Sequence, residues 1–150
     1  MPMADDGDIV RGLGFTTLYA AYMEEAVDDC RVVLMKRDPS PPKGIEKWPI
    51  SRRVEYVQER LAQFAPLPHE LTGLPSHLDY ISDLLERRNE VIHGRIYGSL
   101  QGEKDELRPG RPTGSARPIT SGELYDLANE MFATLGALNH ASMFAIPRLP

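Results

Sequence analysis

Cysteine is almost missing from this chain: Cys30 is the only one in 150 residues, so no disulfide can form within it. Set among apolar residues, its thiol reads as a small buried hydrophobe rather than a nucleophile. Long apolar runs are missing as well, and no stretch approaches the roughly 18 residues that a membrane-spanning helix needs. Residues Met1 to Asp8 are acidic and lead into no apolar run, so no secretory leader is expected and the expected compartment is the cytoplasm. Metal-ligand spacing is lacking: His69, His77 and His140 stand alone in the sequence, and no metal site is expected. Gly12-Leu13-Gly14 lacks the third glycine and the preceding strand of a dinucleotide loop, and no Gly-Lys-Ser/Thr phosphate loop occurs, so no cofactor is expected either.

What is there suits a folded globular chain. Hydrophobic residues make up 41% and charged residues 26%, away from the composition of disorder, and the length supports a core without staples. One domain over residues 1–150 is expected, with 1–8 and 147–150 as loose ends. The net charge of −5 weighs against nucleic acid, whose phosphates call for a surplus of Lys and Arg. The distribution reverses this locally. Up to Arg31 the acids Asp5, Asp6, Asp8, Glu24, Glu25, Asp28 and Asp29 face only Arg11 and Arg31. From Arg87 to Arg117 the chain holds Arg87, Arg88, Arg95, Lys104, Arg108, Arg111 and Arg117 against four acids.

The periodicity predicts an all-α fold of four main helices. From about Val10 to Lys36 no proline intervenes, and Phe15, Leu18, Tyr22, Ala26, Cys30 and Val33 recur at helical spacing. The prolines at 39, 41 and 42 then enforce a stiff linker. A second helix from near Ser51 carries Val54, Val57, Leu61 and Phe64 and stops before Pro66. A third is expected to start at Ser76, as its cap, with Asp79 three residues on; its stripe runs Leu78, Ile81, Leu85, Arg88, Ile92. Glycines 98, 102, 110 and 114 and prolines 109, 112 and 118 predict a long irregular loop, with room for a short hairpin, between Ile96 and Ile119. Thr120 and Glu123 form a second capping pair, opening a last helix with Leu124, Leu127, Met131, Leu135 and Leu138 on one face and ending before Pro147.

Arg88 breaks its pattern, standing where the stripe calls for an apolar side chain. A guanidinium taken out of water needs a carboxylate or an anionic ligand; a structural salt bridge to Glu25 or Asp29 would suffice. Its neighbours add chemistry. Arg88-Asn89-Glu90-Val91-Ile92-His93-Gly94 places Asn89 and His93 one turn apart on one face, but a five-residue step turns about 140°, so Arg88 and His93 of one straight helix cannot grip the same atom. Either the helix breaks here, or a second chain brings its own copy alongside.

Arg88, Asn89 and His93, followed by Gly94, resemble the Arg-x-x-x-x-His hallmark of the HEPN domains, in which Asn often follows the arginine directly. Helix order is similar over most of the chain, although only the six-residue motif is specific. The resemblance implies a HEPN-like helical bundle that forms a homodimer, its two motifs meeting at a cleft. It also implies either metal-free cleavage of RNA, often by toxins or defence effectors that a protein antitoxin or other regulatory partner controls, or a non-catalytic binding or scaffold role.

The residue types suit that cleavage. It needs a group to take the 2′-OH proton, one to protonate the leaving 5′-oxygen, and positive charge for the phosphate. A histidine such as His93 can act as acid or base near neutral pH. Arg88 can hold phosphate bidentately and cannot serve as a base, and Asn89 can orient His93 or the substrate. Glu25 and Asp29, near the apolar edge of the first helix, are candidates for orienting Arg88 or His93. Arg87, Arg95 and Tyr97 are candidates for substrate contact, Tyr97 by stacking on a base. Some HEPN members carry a tyrosine two residues after the histidine, where this chain has Arg95, so no modification of that tyrosine is carried over.

Overall fold

A computed structural model describes residues 2–98, 105–110 and 114–150. Among them run four α-helices, α1 (Ile9–Met35), α2 (Ile50–Ala62), α3 (Leu74–His93) and α4 (Ser121–His140), with three short strands between α3 and α4: β1 (Arg95–Tyr97), β2 (Glu106–Arg108) and β3 (Arg117–Pro118). The strands form an antiparallel sheet in the order β1-β2-β3, with Ile96 opposite Leu107 and Leu107 opposite Arg117. The architecture is therefore all-α, with a small sheet in what the glycines and prolines marked as loop. No described helix is long and apolar enough to cross a membrane.

By internal packing the chain divides into two compact units, residues 1–21 with 83–132 and residues 22–82 with 133–150. In the first, α1 lies close against α4. Gly12 leaves so little room that a Cβ there would sit 3.0 Å from the Leu124 Cβ and 3.2 Å from the Tyr125 ring. Thr16 is fully buried and its hydroxyl donates to the Leu124 carbonyl at 3.0 Å. Phe15 packs on Tyr125 and Tyr19 meets Phe132 edge-on, centroids 5.7 and 5.3 Å apart. The N-terminal segment, expected to be loose, is held: the Met3 backbone exchanges hydrogen bonds with the Asn129 amide, and the Tyr125 hydroxyl donates to Asp6.

The second unit buries Met23, Val27, Leu34, Val54, Val57, Leu61, Leu78, Ile81 and Leu138. Asp28 joins α1 to α2, accepting from Arg31 at 2.8 Å and from Arg53. The C-terminal segment is likewise held, by the Arg37 guanidinium on the carbonyls of Pro147, Leu149 and Pro150.

Two local expectations shift. Leu18 and Tyr22 are exposed, while Ala26 and Cys30 are buried as expected and the buried line of α1 also takes in Gly12, Thr16, Met23, Val27 and Leu34; small and polar residues carry part of it, which a search for large apolar side chains passes over. The third helix begins at Leu74, so Ser76 lies inside its first turn rather than capping it. Gly73 O accepts from His77 N, and Pro75 fits because first-turn N–H groups need no helical partner.

Candidate functional site

The motif occupies the final turns of α3. Leu84 and Val91 are buried, and Arg88 falls on the same line between them, half-buried, with its Nε out of solvent. Asn89 and His93 are exposed, one turn apart. The helix is unbroken through His93, so the first of the two geometries open to the five-residue step is not the one taken. A continuous helix separates Arg88 from His93 by about 140° around its axis and about 7.5 Å along it.

The strands close around the end of this helix. Gly94 N donates to Glu90 O at 3.1 Å. A Cβ on Gly94 would lie 2.6 Å from Leu107 Cδ1 and 2.8 Å from that Glu90 carbonyl; one on Gly110 would lie 2.1 Å from the His93 carbonyl oxygen. Only hydrogen fits at either place. Leu107, 1% exposed, supplies the apolar underside that holds the strands there.

Ion pairs brace the helix on two sides. Arg117 of β3 donates through Nη1 and Nη2 to the two Glu123 carboxylate oxygens, at 3.0 and 2.7 Å, and through Nε to Glu90 within the motif, at 2.6 Å. Those hydrogen bonds, to Glu123 first and Glu90 second, raise the pKa of the guanidinium above its ordinary value. Arg87 donates to Glu130 of α4 at 2.6 Å. Glu123 thus serves twice, its N–H on Thr120 Oγ1 as the capping pair predicts and its carboxylate on Arg117.

The other candidates belong to other elements. Arg95 and Tyr97 are exposed on β1, and the Arg108 guanidinium lies 4.2 Å from the centre of the Tyr97 ring. Arg108 is held by Glu106 at 2.7 Å, which raises its pKa. Glu25 and Asp29 belong to the second unit, where they line a hollow of about 210 Å³ with Tyr22, Leu135 and Asn139. Lys104 and Arg111 lie outside the described residues. Cys30 is fully buried, and loss of hydration chiefly, helped by the Asp29 charge, pushes its thiol up to about 12. That holds it in the unreactive protonated form.

Sequence reasoning missed the framing residues: Glu90, Arg117, Gly110 and the second role of Glu123. The only signal for them was a Gly and Pro count that cannot specify which backbone meets which. It also left His77 and His140 unrelated, whereas with Glu70 they line one cavity of about 360 Å³. No group of three His, Cys, Asp or Glu residues that could hold a metal occurs among the described residues.

Nothing among protein-family models, curated proteins or solved structures matches this chain.

Proposed function

We propose that this chain is a metal-independent endoribonuclease of HEPN type that acts as a homodimer. One observation carries the reading: an unbroken helix ends on an exposed His93 with Asn89 beside it, while Arg88, on another face, is half-buried. The geometry supports the dimer too. At about 140° apart, Arg88 and His93 of one helix cannot reach a common phosphate, whereas two copies of the helix end can supply both groups to one substrate.

His93 takes the 2′-OH proton, the 2′-oxygen attacks phosphorus, and the P–O5′ bond breaks as a second imidazole delivers a proton to the leaving oxygen. Arg88 stabilises the charge that builds on the phosphoryl oxygens, and Asn89 orients the ring or the ribose. The closely fitted ends of Gly94 and Gly110 keep the His93 backbone fixed while its side chain stays open to substrate.

The test is cleavage of a mixed-sequence RNA in excess chelator, beside folded His93→Ala and Arg88→Ala proteins. Cutting that persists in chelator, leaves cyclic-phosphate ends and is lost in both variants is the expected result. A wild-type dimer that cuts nothing removes the reading. One observation favours a second, non-catalytic binding module with a protein partner: Arg87 and Arg117, beside the motif, are already matched by Glu130 and by Glu90 with Glu123, which lowers the local attraction for phosphate.

A further inference from the structure

The sheet after α3 has one face turned inward, with Ile96 and Leu107, and one turned outward. On the outward face Arg95 of β1 and Arg108 of β2 are directly opposite one another. Like charges in that position repel, and among the described residues Arg108 has a carboxylate of the sheet on it, from Glu106. Tyr97 stands on the same face two residues after Arg95, 42% exposed, with the Arg108 guanidinium over its ring at 4.2 Å. The strand bearing this group starts two residues after His93, separated from it by Gly94 alone.

Two cations and an aromatic ring side by side, with one carboxylate, Glu106, opposite Tyr97 and on Arg108, leave Arg95 and the ring for a flexible polyanion with unstacked bases. Phosphates offset the Arg95–Arg108 repulsion, and a base stacks on the Tyr97 ring or on the guanidinium plane. A duplex offers the same phosphates but keeps its bases inside. We infer that Arg95, Tyr97 and Arg108 form a platform that holds single-stranded RNA and feeds it to His93. This rests on the reading of the motif as an RNA-cleaving site.

The experiment is fluorescence-anisotropy binding of a labelled single-stranded oligouridine and of an RNA duplex of equal length, by the full chain carrying His93→Ala so that no substrate is consumed. Tyr97→Ala in that parent is expected to weaken single-strand binding by at least about five-fold, the scale of base–aromatic stacking, and to leave duplex binding nearly unchanged. Tyr97→Phe should restore it. Arg95→Ala and Arg108→Ala should each lower the slope of log affinity against log salt by about 0.7. Single-strand binding equal in the parent, Tyr97→Ala and Arg108→Ala overturns the inference, as does a parent that prefers the duplex. A parent that binds no RNA also overturns it and leaves the face to a protein partner. Tyr97-dependent binding by a chain that never cuts upholds the platform and removes the ribonuclease. Cutting by the native protein with Tyr97-independent binding does the reverse.

Discussion

Gly110→Ala separates steric fit from backbone preference at the end of the motif helix. The φ of Gly110 is not in the left-handed region, where among the described residues only Gly7 and Gly44 lie, so alanine can adopt its backbone without strain. The added methyl, however, would stand 2.1 Å from the His93 carbonyl oxygen, where real Cβ atoms come no nearer than 3.0 Å. The gap must open by roughly 1 Å, and overpacking of that kind costs about 1–3 kcal/mol. Strands of two or three residues yield before a 20-residue helix does, so the cost appears as displacement of the sheet from α3. Gly136→Ala is the control: it lies in α4 with nothing within 4 Å of a Cβ, and helix propensity predicts a gain of about 0.5–1 kcal/mol. Urea and thermal melts of both proteins should therefore diverge by several degrees, at about 2–4 °C per kcal/mol for a chain of this size. Amide exchange at Leu107 should accelerate in Gly110→Ala alone. Equal melting temperatures, or Gly110→Ala the more stable, would refute the close fit around His93.

Three further outcomes are expected. The Ser40 backbone N–H and then the Tyr56 hydroxyl hold the Asp38 carboxyl below its usual range. Its contribution is therefore present at neutral pH and fades as pH falls below about 4, and Asp38→Asn should flatten the urea midpoint in that acid range. Burial and then the same hydrogen bond push Tyr56 up to about 12 from 10.0; its contribution is whole below pH 10 and lost as pH rises toward 12, a loss that Tyr56→Phe should abolish. A double-mutant cycle of Arg117→Met with Glu123→Gln should return a coupling of about 0.5–1 kcal/mol, discounted because both side chains are roughly one-third exposed to screening solvent. A cycle near zero would show that Arg117 does not brace the sheet against α4.

The sequence alone determined where most helix ends fall, because proline placement and three-and-four spacing are local properties: α1 and α2 begin and end, and α4 begins, within two or three residues of their pattern, whereas α4 stops at His140 and a π turn over Ala141–Ala145 carries the chain on to Pro147. It also picked out Arg88 as a misfit on an apolar face, and that position is half-buried between Leu84 and Val91. It could not choose the buried line of α1, since Gly12 and Thr16 are buried by what lies against them, Leu124 and Tyr125, over a hundred residues away. Nor could it join Glu90 to Arg117 or Gly110 to His93. Those pairings depend on how three short strands fold back on the end of α3, and strand register follows from packing rather than from any periodicity in so few residues. Charge and motif were therefore legible as composition, while the surroundings of His93 were decided by tertiary structure, because each contact there joins residues that only the folded sheet brings together.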